Sequence, residues 1–230
     1  MIYNNLSNYY DDLVKDEQAT LQWVKFVKKH TDKKKILELA CGSGEITNKL
    51  ILEGFDVLAT DLSENMLEKL NEKYPNINTR LMDMASFNIN EKFDTVICFC
   101  DSINYLQTLD EIKNMFISSY NALNENGKLL FDMHTEYRLE EFSEEFLEEG
   151  FIDNIPYQWS IISEDDLIYH HFAFYTKDVI LEEYHVQKVY DLDIILNLLK
   201  EIGYKYKVYT DFNIEGKYEG EKYFIVGEKI

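Results

Sequence analysis

Two glycines one residue apart, Gly42 and Gly44, sit between a short apolar run (36–40) and a helical pattern starting at Glu45. No other segment restricts the possible folds so strongly. Glycine lets the backbone turn sharply and lets a ligand approach closely, so a strand that ends in such a turn and enters a helix is built to hold something. The next apolar run, 55–60, ends at Asp61, about 20 residues after the turn, where a carboxylate suits ribose hydroxyls. Glu38 stands four residues before the first glycine.

The rest of the first half repeats this rhythm. Leu21, Val24 and Val27 give helical spacing over 19–30. Helix 45–53 is stopped by Gly54, and the next helix starts at the N-cap Ser63, with Leu62 and Leu67 placed for a hydrophobic staple, and ends before Pro75. Strands are expected at 78–82 (ending at Asp83), 93–100 and 128–133, with a helix at 109–123 and a turn at 124–127. Strands alternating with helices predict a Rossmann-like α/β fold, with a seven-stranded, mostly parallel sheet and helices on both faces.

After His134 the texture changes. Residues 136–150 are acidic and read as a helix carrying Leu139, Phe142 and Phe146. Aromatic and β-branched runs at 159–162, 168–175 and 179–190, with turns at 165–166 and 177–178, predict a small antiparallel β insertion acting as a lid. A helix at 191–202 stopped by Gly203, and strands at 204–210 and 222–228, return to the main sheet. The expected organisation is therefore residues 1–135 and 191–230 as one domain, with 136–190 inserted as a lid and substrate subdomain.

Composition narrows the function. The formal net charge is −20, and Arg80 and Arg138 are the two arginines. Such a chain is a poor partner for phosphate backbones or anionic membranes, and small-molecule chemistry is expected. Cys41, Cys98 and Cys100 form no CxxC pair, so neither a disulfide framework nor a zinc site is expected, and Cys98 and Cys100 read as buried free thiols. No secretory signal or spanning segment is visible, and a cytoplasmic protein, monomer or homodimer, is expected.

Two ligand classes use a glycine turn of this kind. A dinucleotide brings a pyrophosphate and usually a third glycine, but that position is Thr47. S-adenosylmethionine brings an ammonium and a sulfonium without phosphate, and an acidic residue beside the loop suits it. A cofactor of that kind implies methyl transfer. An NAD-dependent oxidoreductase and a non-catalytic partner-binding module on the same fold are the competing readings.

The segments Glu38-Leu39-Ala40-Cys41-Gly42-Ser43-Gly44, Tyr9-Tyr10-Asp11, Cys100-Asp101-Ser102-Ile103-Asn104-Tyr105-Leu106 and Phe131-Asp132-Met133-His134 resemble the class I S-adenosylmethionine-dependent methyltransferases. The resemblance covers about residues 3–134 and 185–204, and is nearest to small bacterial enzymes of the YqeM type. It implies that Glu38, Gly42 and Gly44 frame the methionine moiety and that Asp61 holds the ribose. It sets Leu62 against the adenine, with Asp83 at the adenine amino group and Met84 beside it. Phe99 and Asp101 would lie near the methyl donor, and Tyr10 would cover it.

Methyl transfer from a sulfonium is a direct displacement with a good leaving group, so alignment in a dry site does most of the work. An amine must arrive neutral and a hydroxyl usually needs a base. His134, after the fifth strand, is the first candidate base, and His185 the second. Asn104 and Tyr105 are placed to orient substrate, and Trp159, Tyr169 and Tyr175 to line the pocket. His170 and His171 are adjacent in a strand and must face opposite ways.

Overall fold

The computed structural model describes Tyr9, Leu13 and residues 16–230. In chain order the first half consists of α1 (Glu17–His30), β1 (Lys35–Leu39), α2 (Glu45–Leu52), β2 (Asp56–Asp61), α3 (Glu64–Lys73), β3 (Asn78–Leu81), β4 (Phe93–Cys98), a 3-10 turn (Ser102–Tyr105), α4 (Leu109–Ala122) and β5 (Leu123–His134). There follow α5 (Tyr137–Glu141), β6 (Phe146–Ile152), β7 (Ile155–Glu164), β8 (Leu167–Tyr175), β9 (Ile180–Lys188), α6 (Leu192–Ile202), β10 (Tyr204–Thr210), β11 (Ile214–Glu215) and β12 (Lys222–Lys229).

The main sheet has the order β11-β10-β12-β5-β4-β1-β2-β3. Strands β1 to β5 pair in parallel, and β12 runs antiparallel to β5 and β10. The seven expected strands are all present, and the two-residue β11 extends one edge to eight. The order in which strands are added switches sides at β1, with β2 on one side and β4 on the other. Open α/β sheets bind ligands at the carboxyl ends of strands around such a point.

Because side chains alternate along a strand, each strand feeds both faces. Leu37, Val96, Leu129 and Ile225 meet Ile112 and Phe116 of α4 and Ile195 and Leu199 of α6. Ile36, Val57, Ile97, Leu130 and Phe224 meet Val24 and Val27 of α1 and Leu50 of α2. By the same alternation Glu38, Asp61, Asp132, His134 and Lys222 belong to the second face, each at or near a strand end.

Local signals explain the helix ends. Asp16 caps α1, Ser63 caps α3, and Thr108 with Glu111 forms a capping box on α4. Gly203 adopts φ 114° and ends α6. Two expectations are corrected here. The acidic stretch 136–150 is not one helix, because α5 stops at Glu141 and Phe146 begins β6, which pairs with β7. Alternation in Phe146-Leu147-Glu148-Glu149-Gly150-Phe151 fits a strand once a partner is supplied. The expected turn at 124–127 is absorbed into β5, whose pairing with β4 is irregular between Phe93 and Thr95.

Strands β6 to β9 form a separate four-stranded antiparallel sheet. The register aligns Trp159, Phe172 and Glu183 across three strands, and likewise His170 with His185. One face of this sheet therefore carries Trp159, His170, Phe172, His185 and Gln187. Tyr9 stacks on Phe174 of the same face at 4.3 Å. Among the described residues no helix is long and apolar enough to cross a membrane.

Candidate active site

The glycine turn is made as its composition demands. Ala40, Gly42 and Gly44 have φ of 52°, 55° and 85°, a left-handed region that glycine enters freely. A Cβ on Gly44 would lie 2.6 Å from Leu70 Cγ, so this glycine is also needed for α2 to pack on α3, whereas a Cβ on Gly42 would meet nothing within 4 Å. Gly44 serves packing, and Gly42 borders open space.

Asp61 ties the turn to β2. Its Oδ2 accepts from Gly42 N–H at 2.9 Å and its Oδ1 from Ser63 N–H at 2.8 Å. Burial pushes its carboxyl above the usual range, although the backbone donors oppose the rise. Glu38 is 4% exposed, and its Oε2 accepts from the Thr47 hydroxyl at 2.6 Å. Burial raises its carboxyl to about 8, against that hydrogen bond and with a further rise from Asp61. The third-glycine position is thus filled by a hydroxyl that holds the acid. Two buried acids facing one glycine turn make a site for positive charge and a poor one for pyrophosphate.

A second cluster lies at the carboxyl ends of β4 and β5. Asp101 begins the turn after β4 with φ 56°, and its N–H donates to Asp132 Oδ1 at 2.9 Å. Asp132 Oδ2 accepts from Trp23 Nε1 of α1 at 2.7 Å. Lys222 Nζ, from the first residue of β12, reaches Asp101 Oδ2 at 2.6 Å. Burial alone would raise Asp101, but His134 whenever it is protonated, and Lys222 at all times, hold it below its ordinary value, while burial pushes Asp132 up. Burial opposes the charge on Lys222, and the two carboxylates more than offset it.

The antiparallel sheet is fastened over this cluster. Asn104 Nδ2 donates to Lys188 O at 2.7 Å, and Asn104 Oδ1 accepts from His134 N–H at 3.1 Å. Gln187 Oε1 bridges Nε2 of His134 and Nε2 of His170 at 2.9 and 3.0 Å, and Trp159 Nε1 lies 3.3 Å from His170 Nδ1. His185 Nδ1 is 2.9 Å from the Tyr105 hydroxyl, and its Nε2 is 2.9 Å from Glu183 Oε1. Burial lowers His134, and lowers His170 to about 4, so both rings stand neutral at pH 7.

Glu38, Gly42, Gly44 and Asp61 therefore gather at one turn, and Asp101, Asn104, Tyr105, His134, His185 and Trp159 gather at the neighbouring strand ends. Phe99 is buried and packs edge-on to Phe26 at 6.4 Å. Met84 is half-buried with its sulfur 3.8 Å from Cys98 Sγ, Asp83 is exposed and accepts from Ala85 N–H at 2.8 Å, and Leu62 is 57% exposed. Tyr10 lies outside the described residues. Tyr169 and Tyr175 are separated from the group. The two-residue period of β8 turns them to the face of His171, opposite His170, where the Tyr175 hydroxyl bonds Gln158 and His171 stacks on Tyr184. Cys98 is buried as expected, but Cys100 is exposed because β4 ends before it.

Sequence reading missed Lys222, Gln187, Trp23, Asp132 and Glu183. Asp132 was within reach, since it shares a strand face with His134. Lys222 and Gln187 enter the site only through pairing between strands far apart in the chain.

The sequence profile described as a methyltransferase domain matches residues 36–127. YqeM of Bacillus subtilis (strain 168), provisionally named a methyltransferase, is 31% identical over 245 aligned positions, covering 100% of this chain and 98% of the relative. The chain belongs to this methyltransferase family. The glycine/sarcosine N-methyltransferase of Aphanothece halophytica is 28% identical over 83% of this chain and 73% of that relative. The crystal structure of an S-adenosylmethionine-dependent methyltransferase from Clostridium acetobutylicum ATCC 824 superposes with a TM-score of 0.83 at 26% identity, covering 99% of this chain and 98% of that one. The fold is thus that of a class I methyltransferase.

Proposed function

We propose that this methyltransferase uses S-adenosylmethionine to methylate a nitrogen or oxygen of a small molecule, with the cofactor lying along the carboxyl ends of β1, β2 and β4. The observation that carries this reading is the buried acid pair Glu38 and Asp61 on either side of the open Gly42 turn. When bound, the cofactor supplies a sulfonium methyl with a neutral thioether as leaving group. Glu38, protonated while the turn is empty, ionises beside the cationic end and so meets it with negative charge. Asp61 offers carboxylate oxygens to ribose while keeping the turn closed. Asp101 and His134 border the place where an acceptor meets the methyl group, and His134, neutral at pH 7, is able to take a proton.

The sheet β6–β9, within the inserted segment 136–190, serves as the lid that excludes water and supplies part of the acceptor site. Its bonds through Asn104, Gln187 and His170 support that role. An NAD-dependent oxidoreductase is disfavoured by Thr47 and the acid pair, and an RNA substrate by the net charge of −20.

Isothermal titration tests the reading. S-adenosylmethionine and S-adenosylhomocysteine should bind at micromolar levels, NADH should not, and Asp61→Ala should weaken binding by an order of magnitude or more while thermal unfolding shows the variant still folded. Preference for NADH, or no binding of either sulfur ligand, would refute it.

A further inference from the structure

Asp101 Oδ1 and His134 Nδ1 are buried atoms without a hydrogen-bond partner, and they lie 3.5 Å from each other. Their neighbours determine what each can do. Lys222 Nζ occupies the other oxygen of Asp101 at 2.6 Å, which keeps the group a carboxylate and leaves Oδ1 as an acceptor. The Gln187 amide points its nitrogen at the Asp101 carbonyl, 3.4 Å away, so its oxygen faces the two histidines. Both Nε2 atoms must then be donors, and a neutral His134 carries its lone pair on Nδ1. A carboxylate oxygen and an imidazole lone pair thus lie 3.5 Å apart with no donor for either. Two acceptors that close repel unless hydrogens are placed between them.

A hydroxyl brings one hydrogen and satisfies one of the two. An amine or ammonium nitrogen brings two and satisfies both. Building on the methyl-transfer reading above, we infer that Asp101 and His134 form the receptor for the acceptor's amino group, so that the substrate is a primary or secondary amine rather than an alcohol. Carboxylate and net charge both favour arrival as the ammonium ion. The ammonium then passes one proton to His134 Nδ1, and a remaining N–H stays on Asp101 Oδ1. The freed nitrogen lone pair bonds the methyl carbon as the carbon–sulfur bond breaks with its electron pair left on sulfur. The positive charge moves from sulfur to the methylated nitrogen, and His134 holds the released proton until it leaves to solvent.

The groups facing His134 from every side fit this sequence: Asp101 on the turn after β4, Lys222 on β12, Arg138 on α5, and His170 with Gln187 on the antiparallel sheet. The attraction of Asp101 and the repulsion of Lys222 and Arg138 oppose one another, so His134 can accept a proton and release it.

The probe is methylammonium, titrated into the full chain, with and without S-adenosylhomocysteine, while the imidazole nitrogen resonances are followed by NMR. His134 is assigned through His134→Gln. A saturable shift at His134 Nδ1 that tetramethylammonium (the same charge with no N–H) and methanol do not reproduce is the expected result. Asp101→Asn should weaken it about tenfold or more, the usual effect of losing a charged hydrogen bond. An equal response to tetramethylammonium or methanol, or no response at His134, overturns the proposal. So does a response abolished by S-adenosylhomocysteine but not by 5′-methylthioadenosine, which would assign the pair to the cofactor's own amino group. If methylammonium shifts His134 yet S-adenosylhomocysteine does not bind, the amine site stands and the methyl-transfer reading falls.

Discussion

Replacing Glu38 by Gln should stabilise the unliganded protein, and more so at higher pH. Glu38 is buried, and its carboxyl moves from 4.5 to about 8 on folding. At about 1.36 kcal/mol per pH unit, that displacement is worth roughly 5 kcal/mol between the two protonation states. The folded value lies above the unfolded one, so the contribution is fully present below about pH 4.5 and is lost as pH rises through 8. Gln mimics the protonated acid at every pH and can keep the Thr47 hydroxyl as a partner. Its advantage over the parent should be about 1 kcal/mol at pH 5.5 and about 4–5 kcal/mol at pH 8.5, a widening of roughly 3 kcal/mol. Urea unfolding of both proteins at the two pH values measures this difference, and the effects of groups that do not interact with Glu38 cancel in the comparison. The same substitution should weaken S-adenosylmethionine binding, because a cationic ligand favours the ionised acid. A gap that stays constant or narrows with rising pH would refute the assignment of a buried, strained acid at this turn.

Three further outcomes are expected. Gly44→Ala should destabilise the fold by about 1–3 kcal/mol, since its Cβ meets Leu70 and its φ is 85°; Gly42→Ala should cost less stability but reduce S-adenosylhomocysteine affinity, which paired melting and titration will separate. Trp23→Phe should cost about 1–3 kcal/mol by leaving Asp132 Oδ2 without its indole donor, read by denaturant unfolding. His170 is held down to about 4, so the stability it contributes is complete above pH 6.5 and is lost as pH falls toward 4; amide exchange in β8 should accelerate over that interval, and His170→Asn should remove the acceleration.

The main sheet and its cofactor turn were legible because their signals are local. Gly42 and Gly44 state a backbone conformation, Ser63 and Gly203 state helix ends, and an apolar run of five residues before a glycine turn has few uses other than a buried parallel strand. Glu38 and Asp61 could be read as a pair because both are placed by the same short βαβ unit. The segment 136–150 misled because acidic residues with scattered aromatics satisfy a helix period as well as a strand period until pairing with β7 chooses. Register did the same for Tyr169 and Tyr175, since a shift of one residue in β8 exchanges its faces. Lys222 and Asp101 are 121 positions apart, and His134 and Gln187 are 53 apart. Nothing in the neighbourhood of either residue announces the other. The chain's own sequence determined where a ligand turn must form, and only the antiparallel pairing of β12 with β5 and the docking of β9 on the 3-10 turn decided which charges and lone pairs face it. Long-range pairing is set by the sum of many weak contacts, which no short stretch of sequence contains.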